Sequence, residues 1–305
     1  MKAVVLEEFG GPEKLLYKTD VPDPEISDDE VLIATAASSV NPVDYKVRGS
    51  GEIAGMMGVS LPAILGRDVS GLVHRIGSRV AGVAVGDRVI ALTNSTYASL
   101  VKVPATDITH IPEGVDTVDA AALPLVTLTG DQLIREACAL QPGQTVLVTG
   151  ALGSVGRSAV HSAKTLGAKV IAGVRKKQID KAQTLGVDGV VALDDDEAMQ
   201  NLGQFDAVAD TVGGETATKL LNHVREGGVF GSLLGPVAGS ELHPGVRVSP
   251  MRAHPDPQRL KAFAEDLRDG KFTLPIATRF PLEQAGEAQA YAQKGADGKV
   301  LLLAL

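Results

Sequence analysis

The stretch VTGALGSVGRSAV, residues 148–160, decides how the rest of the chain is read. An apolar run from Thr145 to Thr149 enters it, and Val155, Ala159 and Val160 leave it at helical spacing. Between them, Ala151-x-Gly153-x-x-Gly156 puts small residues where a strand turns sharply into a helix. Glycine lets such a turn be tight and lets backbone N–H groups approach a diphosphate, which the positive end of the helix then favours. The spacing predicts a phosphate cradle built from Gly150, Ala151, Gly153, Ser154, Val155 and Gly156. A glycine-rich strand exit with no ligand has the same composition, but a strand directly before and a helix directly after fit the cradle better. A mononucleotide loop of the Gly-x4-Gly-Lys-Ser/Thr kind is set aside, because Gly156-Arg157-Ser158 has neither the lysine nor the glycine spacing.

Working outward, strands and helices alternate from about residue 123: TVLVTG, a helix through Ala168, KVIAGV, a helix through Gly186, then GVVAL, DAVADTV and GGVFGSLL. Alternation of this kind predicts a parallel sheet covered by helices. Residues 1 to about 122 read instead as short strands cut by Gly, Pro and Asp turns. Asp256-Pro257 supplies a helix cap and first residue, and Leu260, Phe263, Ala264 and Leu267 continue that helix, which is expected to close the second domain. TLPIATRF and KVLLLAL then return to β. The fold class is therefore α/β, with a β domain over 1–122 and 272–305 and a doubly wound parallel-sheet domain over 123–271 inserted in it.

Composition narrows the function. At 305 residues the chain exceeds the size at which one core stops growing. A formal net charge of -8 with no basic block argues against nucleic acid. The single cysteine, Cys138, cannot form an intramolecular disulfide or a multi-cysteine metal site, so a reducing compartment, the cytoplasm, is expected. No apolar run approaches the ~18 residues that a membrane span needs, and MKAVVLEEFG lacks a secretory layout. The acidic run Asp194 to Glu197 reads as a solvated helix start.

The strand KVIAGV ends where a dinucleotide site of the NAD type carries an acid for the ribose. Here Arg175, Lys176, Lys177 and Gln178 follow it. Three cations and no acid favour the adenosine 2′-phosphate of NADPH, and the planar guanidinium of Arg175 suits both phosphate and adenine. The competing reading is a solvated helix start.

Several separated motifs now carry a resemblance over nearly the whole chain. They are Asn41-Pro42-Val43-Asp44-Tyr45-Lys46-x-Arg48, Leu65-Gly66-Arg67-Asp68-x-x-Gly71, Val85-Gly86-Asp87-Arg88-Val89, Ala121-Ala122-Leu123-Pro124 with Leu128-Thr129, Asp210-x-Val212-Gly213-Gly214, and Gly298-Lys299-Val300. Together they resemble the zinc-free quinone oxidoreductase branch of the medium-chain dehydrogenase/reductases, the relatives of zeta-crystallin. The resemblance implies a GroES-like first domain, a Rossmann second domain, NADPH in the cleft between them, and a homodimer or homotetramer. Two departures are local: Arg175 stands where the branch commonly has a small hydroxyl residue, and Gln178 where it has a lysine.

Zinc-dependent relatives place a cysteine where Asn41 falls and Gly-His-Glu where Gly66-Arg67-Asp68 falls, so both ligand types are missing. Without a Lewis acid the acceptor must be electrophilic by itself, as quinones and α,β-unsaturated carbonyls are. The resemblance puts Asn41 and Thr129 beside the nicotinamide. Tyr45, among few titratable groups in the matched motif, is read as proton donor or hydrogen-bond partner for the developing oxyanion, against a packing role for the same ring. Gly231, Ser232 and Leu233 are expected to border the nicotinamide from a strand end, and Lys299 to reach the cleft. Asp44 and Arg48 are read as a structural pair, and Arg67 and Asp68 as closing the former metal space by pairing or hydrogen bonding rather than by catalysis. The expected activity is NADPH-dependent reduction of a quinone or enone. A zinc-type alcohol dehydrogenase and a low-turnover NADPH-binding sensor, structural or RNA-binding protein stay as alternatives.

Overall fold

The computed structural model describes residues 1–304, which fall into two compact units, Met1–Leu125 with Pro255 onward, and Val126–His254. The first unit opens with β1 (Ala3–Leu6), β2 (Leu15–Lys18) and the long β3 (Glu30–Val40). Next come helices α1 (Pro42–Gly49) and α2 (Gly51–Met56), then β4 (Ala63–Ile64), β5 (Asp68–Ile76), β6 (Arg88–Leu92), β7 (Leu100–Pro104) and β8 (Ile108–His110). Helix α3 (Pro124–Gln132) carries the chain into the second unit.

That unit reads β9 (Thr145–Thr149), α4 (Ser154–Thr165), β10 (Lys169–Val174), α5 (Ile179–Gln183), β11 (Gly189–Ala192), α6 (Asp196–Gln200), β12 (Phe205–Asp210), α7 (Gly214–Leu220), β13 (Val224–Ser232) and β14 (Arg247–Pro250). The chain returns with α8 (Pro257–Arg268), β15 (Ile276–Pro281), α9 (Ala285–Gln293) and β16 (Lys299–Leu303).

In the second unit the spatial order is β11-β10-β9-β12-β13-β14, with every pairing parallel. This is the doubly wound Rossmann arrangement, whose strand order reverses beside its first strand, here β9. Both faces of β9 are covered, so its sequence is continuously apolar rather than alternating. Val146 and Val148 join the core shared with Ala159, Val160 and Ala163 of α4, while Leu147 joins the one shared with Ala217 and Leu220 of α7. Burying one such side chain contributes about 1.5–3 kcal/mol. The core therefore fixes where the C-terminal end of β9 lies, and with it the glycine turn.

The first unit is a mixed sheet built on β3, whose eleven residues are shared among three partners. β5 lies along one edge. The other edge pairs with β7 over Glu30–Ala34 and with β16 over Ala37–Val40. The sequence assigns the α8 helix to the second domain, but it belongs to the first unit. It packs on β8, and Thr109 Oγ1 donates to Pro257 O at 2.6 Å. Its apolar stripe shows that the helix is amphipathic but does not say which sheet it covers.

Candidate functional site

The glycines of the turn in the second unit do three different jobs. Gly150 sits at φ +59°, and a Cβ on it would lie 2.6 Å from Thr211 Oγ1. A Cβ on the buried Gly156 would meet Gly150 O at 2.1 Å, so this glycine lets α4 pack on the turn. Gly153 is exposed, and only Gly150 O, at 3.2 Å, comes near its Cβ position. Its missing side chain leaves open space at the start of α4, whose N-cap it is and which no side chain caps. Ala151 is buried core, and Ser154 and Val155 are half-buried in the first turn. An uncapped helix start with an open glycine fits a diphosphate.

A buried carboxylate braces this turn. Asp210, at the end of β12, accepts from Thr149 Oγ1 at 2.8 Å and from Val212 N and Gly213 N. Thr211 answers by donating N–H to Thr149 Oγ1 and its hydroxyl to Thr149 O, each at 2.8 Å. The ends of β9 and β12 are thus joined side by side where the strand order reverses. Asp210, Gly213, Thr218, Ser232, Leu234 and Val237 line a cavity of about 660 Å³ at the C-terminal ends of β12 and β13.

The three cations after β10 are not equivalent. Lys176 Nζ is held by Asp195 at 2.7 Å, and Asp195 also caps α6 through Ala198 N. Arg175 and Lys177 are exposed, and their side chains make no hydrogen bond or ion pair among the described residues. Arg175 is therefore the unengaged guanidinium one residue past β10. The three residues at the end of β13 divide similarly. A Cβ on Gly231 would strike Cys138 Sγ at 2.7 Å, so that glycine is required by packing, and Leu233 packs against the core. Ser232 alone lines the cavity.

In the first unit, Asn41 follows β3 and stands at the N-cap of α1, a common place for asparagine. Its side chain does not serve the helix. Asn41 Oδ1 accepts from Lys299 Nζ at 2.7 Å, and Nδ2 donates to Asp68 Oδ2 at 2.7 Å. A neighbouring ammonium that only donates and a carboxylate that accepts fix which way the amide faces. The helix start is served by Asp44, whose Oδ2 accepts from Asn41 N at 2.8 Å. Asp68 is wholly buried, accepting also from Ser39 Oγ and, at 2.6 Å, from Leu125 N, with Lys299 Nζ at 3.6 Å. Removal from water lowers the Lys299 pKa, opposed by the charges of Asp68 and Asp44.

Burial likewise pushes the Asp44 carboxyl up to about 7, against the hydrogen bonds from Asn41 and Tyr97. The network continues through Tyr97 Oη, which donates to Asp44 Oδ2 at 2.9 Å, to Gln289 and then to Arg48 Nη1, which donates to Gln289 Oε1 at 2.6 Å. The expected Asp44–Arg48 pair does not form, since Asp44 is bound by Asn41 and Tyr97. Asp68 is held by hydrogen bonds and by Lys299 rather than by Arg67. Tyr45 is half-buried against the core of this unit, and burial, then the Asp44 charge, raises its phenol pKa. Thr129 is half-buried on α3, in the second unit.

Residues 27–113 match a family model described as the alcohol dehydrogenase GroES-like domain, and residues 185–302 one described as zinc-binding dehydrogenase. The mitochondrial NAD(P)H oxidoreductase of Mus musculus is 30% identical over 99% of this chain and 89% of its own length. This chain belongs to the medium-chain dehydrogenase/reductases, in their quinone oxidoreductase branch. Within that family it is also similar to the chloroplastic NADPH-dependent alkenal/one oxidoreductase of Arabidopsis thaliana, 28% identical over 99% of this chain and 79% of the relative. The quinone oxidoreductase structure from Coxiella burnetii superposes with a TM-score of 0.90 at 29% identity, covering 99% of both chains. The second family description names zinc, yet no group of three or more His, Cys, Asp or Glu able to hold a metal ion is gathered among the described residues.

The sequence reading names Asp44 and Arg48 but omits Tyr97 and Gln289, which join them. Gln289 had a signal: it shares one helical face with Ala285, Ala288 and Ala292, a polar residue in an apolar stripe. Tyr97 opens the strand read as YASLVKV, but nothing local to that strand marks its hydroxyl as a partner of Asp44.

Proposed function

We propose that this protein is an NADPH-dependent, metal-free oxidoreductase that reduces quinones or α,β-unsaturated carbonyls. The observation that carries the reading is the Lys299 ammonium held between Asn41 and Asp68, the two positions at which zinc-dependent relatives bring ligands. A lysine fixed there by a buried carboxylate supplies charge balance but no open coordination position, so the acceptor has to be activated already.

When bound, NADPH supplies the hydride. The open Gly153 and the uncapped start of α4 receive its diphosphate, helped by backbone N–H groups of Ser154, Val155 and Gly156, and Arg175 with Lys177 takes the 2′-phosphate. Ser232 borders the cavity that would take the nicotinamide half. Asn41 and Thr129 are assigned to position the ring. Tyr45 is assigned as proton donor: its raised pKa keeps the phenol protonated at neutral pH, and its Oη makes no hydrogen bond among the described residues. Donation to the enolate or phenolate-like oxygen completes the reduction, and solvent returns the proton to Tyr45.

No helix of the described residues is long and apolar enough to cross a membrane. We place the enzyme in the cytoplasm as a homodimer or homotetramer with a small-molecule partner and no nucleic acid. Size-exclusion chromatography with light scattering reads the assembly. The deciding experiment follows NADPH and NADH oxidation against an ortho-quinone, a para-quinone, a short enone and a simple aldehyde, with and without a chelator. Chelator-insensitive turnover of quinone or enone with NADPH preferred is expected. Chelator-sensitive turnover of the aldehyde alone would overturn the reading.

A further inference from the structure

The first unit contains a second cavity, of about 420 Å³, whose wall combines apolar Val43, Val47, Val59 and Ile64 with Arg67 and Ser95. Arg67 Nε is completely buried and has no hydrogen-bond partner, and no part of its side chain forms an ion pair or hydrogen bond among the described residues. A guanidinium carries five N–H donors in a planar fork and no acceptor. A buried Nε–H left without an acceptor on a cavity wall is a donor that an anion would satisfy.

The acids nearby are committed elsewhere. Asp68, next to Arg67 in sequence, is bound by Ser39, Asn41, Leu125 N and Lys299. Asp44 also lines the cavity, but its Oδ2 is held by Asn41 N and Tyr97 Oη, and burial favours its neutral form. The backbone beneath the arginine is fixed. Gly66 lies at φ +98°, and a Cβ there would meet Thr96 Oγ1 at 2.3 Å and Tyr97 Cδ1 at 2.4 Å, so that segment is clamped. Ser95 on the same wall holds φ +59°, a left-handed conformation that is uncommon for a non-glycine residue.

We infer that this cavity receives an acceptor bearing a carboxylate, with the carboxylate on Arg67 and the apolar body of the acceptor against the valine and isoleucine wall. The single cation on this wall matches a singly charged planar carboxylate better than a phosphate dianion, whose second charge would find no cation. This substrate class rests on the reductase reading given above.

The test compares a 1,4-benzoquinone carrying a short alkanoate chain with its methyl ester. Wild-type kcat/KM is expected to favour the acid by about tenfold or more, as one charge-assisted contact provides. Arg67→Met is expected to bring the acid-to-ester ratio to about one, and Arg67→Lys to keep part of it. Equal kcat/KM for acid and ester in the wild type, or an unchanged ratio in a folded Arg67→Met variant, overturns the inference. Calorimetric binding of both compounds to the wild type and to Arg67→Met, without NADPH, separates the two claims. Charge-dependent binding without turnover refutes the reductase reading and keeps the pocket; turnover with charge-independent binding refutes the pocket and keeps the reductase.

Discussion

The polar cluster of the first unit and the glycine turn of the second are both built around a buried carboxylate, yet they end in opposite conditions. Around Asp68 every strong group answers another within the chain: Lys299, Asn41 and Ser39 are all directed inward. Around Asp210 the carboxylate holds only the frame, joining Thr149, Val212 and Gly213, while the exposed Gly153 and the side chain of Arg175 remain open. The difference teaches how to separate a support from a binding surface. A group whose hydrogen bonds are complete holds geometry, and a group left incomplete at a fixed position awaits a ligand.

If the first cluster is a closed support, breaking it should harm folding first. Lys299→Met leaves Asp68 buried without its cation and is expected to lower stability by about 3–5 kcal/mol in chemical denaturation. Adding Asp68→Asn should recover a large part of that loss; a Lys299→Met protein of wild-type stability breaks the comparison. In the second region the damage should fall on binding. Gly153→Val, with only Gly150 O near its Cβ position, is expected to fold and to weaken NADPH by about 100-fold or more in calorimetry. Normal affinity in the folded variant removes the cradle. Arg175→Asp sharpens the same side, weakening NADPH by about 10–100-fold and NADH by little; equal losses for both remove the 2′-phosphate assignment.

The smallest effect concerns pH. The Asp44 carboxyl is pushed up to about 7 in the folded state from an ordinary 3.8, so the native protein keeps a proton that the unfolded chain gives up between those values. Stability contributed by the protonated form is therefore present at low pH and lost as pH rises from about 4 through 7. Denaturation of wild type and Asp44→Asn at pH 5 and pH 8 should show the wild type losing more, by on the order of 1 kcal/mol or above. Parallel losses mean that Asp44 is charged throughout.

Much of this architecture was legible because it depends on neighbours in sequence. The strand, turn and helix at 145–160 carry their own apolar spacing and glycines, and the cations of Arg175 to Lys177 follow a strand end that the alternation locates. What was not legible depends on partners far along the chain. The sequence places Lys299 near the chain's return without showing that Asp68 and Asn41 lie beside it, and α8 shows an apolar stripe without showing that β8 receives it. The site was legible to the same extent: the turn residues announce themselves, whereas the open state of Arg175 and Arg67 appears only once their possible partners are placed.

The shared edge of β3 has a consequence for how the protein is made. The Lys299–Asn41 bond joins residues separated by 258 positions, and it forms only when β16 adds to the Ala37–Val40 half of β3. The second unit is one contiguous run from Val126 to His254, and all of it emerges from the ribosome before that strand does. Synthesis therefore delivers the parallel-sheet unit first, and the early-made edge of β3 waits for β16 to seal both the sheet and the charge inside it.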